Sequence, residues 1–349
     1  MLAVHALRRG HEVFVVYSPN RAHQSLIERL RSAGCELRTS EMKRSVGPHD
    51  LKDGLALRSV LRRLGKLDVI HSHSSKAGAL ARTFGRTGGA AQVYSPHGFY
   101  TMTGEAPFYV GLVERLLGHF SERVIAVSQY EADHGSAIGI PARKLTVIPN
   151  GVDPYEPFSR SEARSKLGLA KDGFAIGFVG RLADQKDPQS ALEVIDRLPA
   201  DAPVSLTLLG DGELRGEVER LAAKVRHPVH VPGSVPAARL LSGFDCLLCT
   251  SRYEGMPVSF LEALNCGVPI VTYDVGGASE LVAEPDAGWV TRHDPDEAAS
   301  ALSKLIALPA KDRRALSERC LATARHYSAA RMGDSTLALY EEVVRPRTS

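Results

Sequence analysis

The amino-acid sequence predicts an α/β fold built from two doubly wound Rossmann-like domains, each a parallel β-sheet covered by helices on both faces. Three observations support this prediction. Apolar, β-branched runs alternate with helical stretches, these runs form two series, and a cluster of turn-forming residues separates the series. The length of 349 residues is typical of two domains.

In the first series, short apolar runs predict strands and the longer stretches between them predict helices. The predicted strands span 12–17, 68–71, 91–94, 123–127 and 145–148, and the clearest helices span 22–33 and 75–87. A doubly wound domain usually opens with a strand and a glycine-rich turn. Here helix-like residues 2–9 precede the first predicted strand. We therefore expect that the first strand and its loop are missing, through a misassigned start or a truncation.

The second series follows a Pro-Asn-Gly-Val-Asp-Pro segment at 149–154, whose residue types interrupt regular structure. Its predicted strands span 174–179, 204–209, 229–231, 246–250 and 269–273, and its helices lie near 191–198, 213–225, 258–265 and 297–308. From 311 to 344 the sequence predicts helix, with an interruption near 326–328. We predict domains at 1–150 and 151–325, followed by a C-terminal helical segment at 326–349.

The composition, 44% apolar and 24% charged, is that of a globular protein, and no apolar run approaches the ~20 residues that span a bilayer. The first residues do not form a secretory signal, and the five cysteines are scattered, so we expect a cytoplasmic protein without a disulfide framework. Residues 1–150 carry 20 Lys and Arg against 12 Asp and Glu. This basic half indicates either an anionic membrane or a phosphate-bearing substrate as partner, or a merely solvated face.

The segment at 251–262 places two glutamates eight positions apart, on either side of a glycine and a proline. Pro257 is predicted in the first turn of a helix, where its missing N–H costs nothing. Glu262 then lies on that helix and Glu254 lies in the loop before it. A helix N-terminus flanked by carboxylates suits a diphosphate that carries a sugar on either side, which indicates a nucleotide-sugar enzyme.

Two cations follow a predicted strand that ends at Gly180. Ligands of open α/β sheets bind beyond the carboxyl ends of the strands. Arg181 can bind a phosphate through two hydrogen bonds, and Lys186 can supply a second point charge. The alternative is a pair of solvated surface cations.

His97 and Gly98 come just after a strand of the first domain, where the imidazole could bind a sugar or move a proton, or could simply be a structural histidine at a turn. The Cys246–Cys249 spacing resembles a redox motif, but it lies within an apolar strand and predicts buried packing. His71 and His73 share a strand face, yet no carboxylate or cysteine at ligand spacing completes a metal site, so none is expected.

Together these segments resemble family 4 retaining glycosyltransferases, which have the GT-B architecture of two Rossmann-like domains facing a cleft. The segments that carry the resemblance are Val179-Gly180-Arg181 with Lys186, Pro149-Asn150-Gly151-Val152, the Glu254–Glu262 pair, 264–271 and Val275-Gly276-Gly277 with Glu280. The residues at 71–78 and 96–99 are similar to those of members that build bacterial exopolysaccharide, capsule or O-antigen.

The resemblance implies two groups of site residues. The implied catalytic residues are His97, Arg181, Lys186 and Glu254. The implied nucleotide-sugar-binding residues are Gly180, Gly233, Val235, Gly255, Met256, Pro257, Val258 and Glu262. In this scheme the cations hold the donor diphosphate, Glu254 lies near the hexose and Glu262 binds the ribose. The backbone at 233–235 meets the base, His97 reaches the donor sugar from the acceptor domain, and the final helix crosses back to the first domain.

The resemblance also implies a nucleotide diphosphate sugar of the UDP or GDP type as co-substrate, with no metal and no other cofactor. The implied acceptor is a glycan or a polyprenyl-linked sugar, with peripheral contact to an anionic membrane and no nucleic-acid partner. Two alternatives stay open. The absent first strand favours a catalytically impaired pseudo-glycosyltransferase that serves as a partner subunit, and a similar architecture occurs in nucleotide-sugar epimerases and phosphorylases.

Overall fold

A computed structural model of the chain describes residues 1–22, 24–43, 46–86, 88–104, 106–153, 155–283 and 286–344. The chain divides into two compact units. Unit 1 comprises Met1–Asn150 and the C-terminal segment that begins at Ala329, and unit 2 comprises Gly151–Ser328. Among the helices described, none is both long and apolar enough to cross a bilayer.

Unit 1 alternates helices and strands along the chain. In order these are α1 (Leu2–Arg8), β1 (Phe14–Tyr17), α2 (Gln24–Ser32), β2 (Glu36–Thr39), α3 (His49–Arg63), β3 (Val69–His73), α4 (Ser75–Phe84), β4 (Ala91–Ser95), α5 (Phe108–Phe120), β5 (Arg123–Ala126), α6 (Gln129–Ala137) and β6 (Leu145–Val147). The strands β3, β4, β5 and β6 form a parallel sheet in that order, and β1 pairs in parallel with β2.

The two sheets of unit 1 share a hydrophobic core. Val16 of β1 packs against the buried cluster that contains Ile70 of β3 and Leu80 of α4. Within the described part of the chain, no hydrogen-bonded ladder joins β1 to β3. Side-chain packing therefore holds the β1–β2 pair beside the four-stranded sheet.

Unit 2 contains one six-stranded parallel sheet with helices between its strands. Its elements are α7 (Arg160–Leu167), β7 (Phe174–Val179), α8 (Pro188–Asp196), β8 (Val204–Leu209), α9 (Arg215–Ala222), β9 (Val229–Gly233), β10 (Cys246–Cys249), α10 (Val258–Asn265), β11 (Ile270–Tyr273), β12 (Gly288–Thr291), α11 (Pro295–Ala307) and α12 (Ala310–Ala324). The strand order is β12-β11-β10-β7-β8-β9. The central strand β7 is almost wholly buried, as its continuous apolar run predicts.

The last helix, α13 (Ala329–Val344), packs within unit 1. Leu339 of α13 belongs to a buried cluster with Val93 of β4 and Ile125 of β5. Asp334 accepts a hydrogen bond from His5 Nε2 of α1 at 2.9 Å. The interruption predicted near 326–328 corresponds to the turn between α12 and α13.

The predicted set of ten strands omits β2 and β12, and this is a correction. Both strands lie at the edge of their sheets. The sequence of β2, Glu-Leu-Arg-Thr, lacks the apolar run that predicts a buried strand. Three of its four residues are accordingly exposed. The Cys246–Cys249 strand is fully buried, as predicted.

Candidate active site

The chain reverses its direction across the unit 2 sheet between β7 and β10. From β7 it runs outward through β8 to β9, and from β10 it runs the other way through β11 to β12. The loops that follow β7 and β10 therefore flank the point at which the strand order reverses. This is where an open parallel sheet leaves a crevice for a ligand.

The loop after β7 is fixed to its neighbours by backbone hydrogen bonds. The Gly180 N–H donates to Leu209 at 3.1 Å, and the Leu182 N–H donates to Asp211 at 3.0 Å. The loop ends at Asp187, which has φ +45° and whose carboxylate accepts a hydrogen bond from the Ser190 N–H at 3.3 Å. Asp is one of the few residues that tolerate this backbone region, and it is a preferred N-cap, so it starts α8.

Several hydrogen bonds join this loop to the loop after β10. The Thr250 hydroxyl donates to the Asp187 carbonyl at 2.7 Å, and the Arg252 N–H donates to the Gln185 carbonyl at 2.8 Å. Arg252 Nε also donates to the Asp187 carboxylate at 3.2 Å. The sequence prediction did not identify these contacts, because they depend on the adjacency of β7 and β10.

Lys186 and Glu254 form an ion pair across these two loops. Lys186 Nζ lies 2.5 Å from Glu254 Oε1, and the side chains are 19% and 10% exposed. Burial disfavours the charged lysine, but the charge and hydrogen bond of Glu254 outweigh that effect and raise the pKa of Lys186. The structure thus brings together two predicted site residues that are far apart in sequence.

Arg181 differs from Lys186 in its surroundings. Its side chain is exposed, and among the described residues no carboxylate pairs with it. It lies near enough to Lys186 for its charge to oppose that of the lysine. An anion at this site would therefore meet one guanidinium that has no carboxylate partner among the described residues. Beside it lies a lysine whose charge Glu254 already balances.

Helix α10 begins beside this ion pair. Pro257 is the N-cap residue of α10, not a first-turn residue as the sequence predicts, and the first helical residue is Val258. The prediction was wrong by one position because Pro257 has an extended ψ of 125°. In the part of the chain that the structure describes, no side chain caps the helix, so the amide groups of Val258 and Ser259 are available to an anion.

Glu262 lies on α10, as predicted, and is half-buried. Its backbone carbonyl accepts a hydrogen bond from the Tyr155 hydroxyl at 2.8 Å. Among the described residues, no group donates to its carboxylate, and burial raises the pKa of that carboxyl. A half-buried acceptor without a protein donor is suited to ligand hydroxyl groups.

Glycines allow the surrounding loops to approach closely. Gly276 has φ +51°, and a Cβ there would lie 1.8 Å from the Glu254 carbonyl oxygen. The Gly277 N–H donates to the Gly255 carbonyl at 2.9 Å. The loop after β11 thus supports the backbone of residues 254–256, which includes the buried Met256.

The predicted base-binding residues lie at the end of β9. Gly233 is buried with φ +85°, and Val235 is half-buried. The Gly210 N–H donates to the Gly233 carbonyl at 3.0 Å, which sets the carboxyl ends of β8 and β9 side by side. Two strands separate β9 from β10, so these residues lie on the same edge of the sheet as Glu254 but at a distance from it.

His97 lies in unit 1, at the carboxyl end of β4. Its Nε2 is 2.9 Å from Nδ1 of His73, and the two rings stack with centroids 5.2 Å apart. His97 has φ +55°, an uncommon conformation for a residue other than glycine. Desolvation by the surrounding groups lowers the pKa of His97 from its usual value, although the residue keeps an exposed surface.

Glu131 holds the His97 loop, and the prediction missed it. Its carboxylate accepts hydrogen bonds from the Gly98 N–H and, at 2.7 Å, from the Val127 N–H. Glu131 is fully buried, which raises the pKa of its carboxyl although both hydrogen bonds oppose the shift. The sequence contains a signal for this residue, because Ser128 and Glu131 have the Ser-x-x-Glu spacing that is typical of a helix start. In the structure, the Ser128 hydroxyl accepts a hydrogen bond from the Glu131 N–H.

The His71–His73 motif belongs to a hydrogen-bonded cluster. His71 bonds through Nδ1 to the Tyr340 hydroxyl at 2.5 Å and through Nε2 to the Ser95 hydroxyl at 2.8 Å. Elsewhere in unit 1, His49, Asp50 and Asp53 lie close enough together to hold a metal ion. Asp50 Oδ1 of this group lies 2.6 Å from Lys76 Nζ, so its carboxylate is already in an ion pair.

The comparisons with known proteins agree with this geometry. Residues 1–156 match the family model described as Glycosyltransferase Family 4, and residues 159–321 match the model described as Glycosyl transferases group 1. The D-inositol 3-phosphate glycosyltransferase of Actinosynnema mirum is 30% identical over 307 residues, which cover 79% of this chain and 72% of that protein. The Escherichia coli UDP-Gal:α-D-GlcNAc-diphosphoundecaprenol α-1,3-galactosyltransferase is 28% identical over 277 residues, which cover 73% of this chain and 70% of that enzyme.

Solved structures show the same fold. The Anabaena protein HepE, in complex with UDP and glucose, superposes with a TM-score of 0.83 at 21% identity, covering 98% of this chain and 95% of HepE. WaaG, a glycosyltransferase involved in lipopolysaccharide biosynthesis, superposes with a TM-score of 0.74 at 19% identity, covering 97% and 94% of the two chains. The chain belongs to glycosyltransferase family 4, a family of retaining enzymes with the GT-B fold.

Proposed function

We propose that this glycosyltransferase moves a hexose from a nucleotide diphosphate sugar to a glycan or lipid-linked sugar, with retention and without a metal. The observation that carries the proposal is the position of Arg181 and of the Lys186–Glu254 pair at the reversal point of the unit 2 sheet, beside the uncapped start of α10. Unit 2 is then the donor-binding domain and unit 1 the acceptor-binding domain.

The proposed chemistry breaks the bond between the anomeric carbon and the donor diphosphate and forms a glycosidic bond to an acceptor hydroxyl. The acceptor proton passes to the departing phosphate oxygen. The leaving group gains negative charge as the bond breaks, and Arg181, Lys186 and the α10 amide groups are in place to stabilise it. Each such preorganised donor is typically worth about 3 kcal/mol of barrier.

The carboxylates act as binding groups in this proposal. Glu254 orients Lys186 and lies near the hexose hydroxyls, and Glu262 accepts hydrogen bonds from the ribose. Neither needs to be the nucleophile or the acid–base pair that retaining glycosidases use. His97 takes part in the transfer, held in position by His73 and by the Glu131-bound loop.

We propose UDP as the nucleotide and treat GDP as the alternative. The E. coli relative is named for UDP-Gal, and HepE is described in complex with UDP and glucose. The backbone at 233–235 meets the base in this scheme. We further propose a polyprenyl-linked acceptor on the cytoplasmic side of the membrane, in cell-surface polysaccharide synthesis, because the E. coli relative is named for a diphosphoundecaprenol substrate.

Thermal shift with a panel of UDP, GDP and their hexose conjugates tests the donor proposal. A nucleotide that binds the folded chain raises its melting temperature by mass action. We expect a UDP sugar to stabilise the wild type and to lose that effect in Arg181→Ala. The control is Arg220→Ala, because Arg220 is an exposed arginine on α9 whose guanidinium donates to the Gly216 carbonyl of its own helix.

Transfer is then measured with the nucleotide that binds. Release of UDP together with a radiolabelled lipid or glycan product supports the proposal. Nucleotide binding without any product supports the partner-subunit alternative. If no nucleotide binds, or if Arg181→Ala and Lys186→Ala leave turnover unchanged, the donor site is wrong.

A further inference from the structure

The last helix of unit 1 contacts the row of histidines that ends at His97. His71 and His73 lie on the same face of β3, and the centroids of their rings are 4.1 Å apart. The His73 ring in turn stacks on the His97 ring. His71 also meets Tyr340 of α13, whose ring lies edge-on with the centroids 5.6 Å apart. Three imidazoles thus connect α13 to the candidate transfer group.

Both nitrogens of the His71 ring have a hydroxyl partner, Tyr340 on Nδ1 at 2.5 Å and Ser95 on Nε2 at 2.8 Å. Desolvation by the surrounding groups, and the charges of His73 and His97, hold the pKa of His71 well below its usual value. The ring is therefore neutral near pH 7 and carries one proton. Because a phenol is more acidic than a serine hydroxyl, we expect Tyr340 to donate to Nδ1 and Nε2–H to donate to Ser95. The two bonds fix the tautomer and the orientation of the His71 ring.

The packing of α13 fixes the position of Tyr340. The Tyr340 side chain packs against the buried cluster that contains Val93 of β4. Two residues further along α13, Glu342 forms an ion pair with Arg123 of β5. The parallel register of β3 and β4 sets His71 opposite Val93. The phenol therefore reaches His71 from a helix that the sheet holds in place.

We propose that Tyr340 is a positioning residue for His97 and acts through His71 and His73. Tyr340 holds the His71 ring, the His73 ring packs against that ring, and His73 Nδ1 lies 2.9 Å from His97 Nε2. His97 has an uncommon φ of +55° and keeps an exposed surface, so its ring depends on such neighbours for a defined orientation. A displacement of about 1 Å in a transfer group can cost ~100-fold in rate. This inference rests on the role of His97 in the proposed function.

The variant Tyr340→Phe tests the proposal, because it removes the hydroxyl and keeps the ring that packs on His71. We expect kcat to fall by ~10-fold with little change in the KM for the donor. The matched control is Thr336→Val. Thr336 is a buried residue of α13 whose hydroxyl donates to the Met332 carbonyl of its own helix at 2.8 Å. The control therefore also loses a hydroxyl hydrogen bond on this helix, and we expect it to keep the wild-type kcat. Thermal melting establishes that both variants fold.

A double-mutant cycle separates positioning from general damage to the fold. In a His97→Ala background, Tyr340→Phe should have no further effect on kcat, because the group that Tyr340 positions is gone. The same fold-loss in both backgrounds would overturn the proposal, since Tyr340 would then act independently of His97. A wild-type kcat in Tyr340→Phe would overturn it as well.

Nitrogen NMR of the full chain, isotope-labelled at histidine, tests the link without turnover. The His97 signals are identified as those that disappear in His97→Ala. We expect Tyr340→Phe to move the ring nitrogen signals of His71, His73 and His97, and Thr336→Val to leave them in place. Unmoved His97 signals in Tyr340→Phe would contradict the positioning role. If the wild type transfers no sugar, the proposed function fails, while this measurement still decides whether Tyr340 positions the His97 ring.

Discussion

Lys186 Nζ lies 2.5 Å from Glu254 Oε1, so the lysine of the candidate donor site is paired with a carboxylate before a phosphate arrives. The pair links the loop after β7 to the loop after β10. A donor diphosphate therefore has to share the lysine with Glu254. Arg181 has no carboxylate partner among the described residues, so we expect it to supply the charge that the phosphate meets first.

A double-mutant cycle measures how strongly this pair is coupled. We expect Glu254→Gln or Lys186→Met alone to destabilise unit 2 by about 3 kcal/mol, because each leaves a largely buried charge without its partner. The double variant should lose less free energy of unfolding than the sum of the losses of the two single variants. Urea unfolding of the four proteins checks this, and simple additivity would show that the pair is not coupled.

The same pair has a predictable pH dependence. The pKa of Lys186 is raised above 10.5 in the folded chain. The contribution of the ion pair to the stability of the fold is therefore fully present below pH 10.5, and it is lost as the pH rises through the pKa of the folded state. The stability difference between the wild type and Lys186→Met should therefore shrink at strongly alkaline pH. A stability difference that stays constant up to strongly alkaline pH would show that the pKa of Lys186 is not raised by Glu254.

Glu262 should be a ligand group whose charge costs stability. Its pKa is raised by burial, so its contribution to stability is greatest in acid and is lost as the pH rises through the folded pKa. Glu262→Gln should therefore be as stable as the wild type or more stable at pH 8, with no gain at pH 4.

The ligand role of Glu262 is tested by comparing UDP with 2′-deoxy-UDP. The wild type should prefer UDP by ~10-fold, the value of a hydrogen bond to a charged group, and Glu262→Gln should lose most of that preference. Calorimetry of both ligands on both proteins measures this. Equal discrimination in the variant would remove Glu262 from the ribose site.

Gly276 should be essential to the site without contacting the reaction. A Cβ at this position would lie 1.8 Å from the Glu254 carbonyl oxygen, and its φ of +51° is strained for other residues. Gly276→Ala should displace residues 254–255 and lower kcat/KM by at least ~10-fold. The control is Gly216→Ala on α9, where a Cβ meets nothing within 4 Å and alanine favours the helix. Full activity in Gly276→Ala would show that the loop tolerates the shift.

Local patterns predicted much of the fold and the positions of Arg181, Lys186 and Glu254, because strand runs and turn residues depend on near neighbours in sequence. The Lys186–Glu254 distance could not be predicted from 68 positions of separation, since it depends on the adjacency of β7 and β10 in the sheet. The edge strand β2 was missed because three of its four residues are exposed and it lacks an apolar run, and the edge strand β12 was missed because it spans only four half-buried residues.

A further prediction concerns the contact between His73 and His97. The Nδ1–Nε2 distance of 2.9 Å makes His73 a positioning residue for the His97 ring. His73→Ala should lower kcat more than it changes KM and should alter the pH profile of kcat, because the orientation of a transfer group is lost. His73→Asn should restore part of the activity, since its amide can occupy the place of Nδ1. His326→Asn, at an exposed histidine of unit 2, is the control.

The same pair predicts a loss of stability in acid. Desolvation by the surrounding groups, and for His73 also the charge of the neighbouring His97, lower the pKa values of both imidazoles below 6.5, although both residues keep an exposed surface. The contribution of the two neutral imidazoles to stability is therefore present above pH 6.5. It is lost as the pH falls through the pKa values of the folded state, because the unfolded chain binds the protons more readily. The melting temperature of the wild type should fall from pH 6.5 to pH 4.5 more steeply than that of His73→Asn, while His326→Asn follows the wild type. Identical slopes for the wild type and His73→Asn would show that the stacked pair does not resist protonation, and the positioning role would then rest on the kinetic result alone.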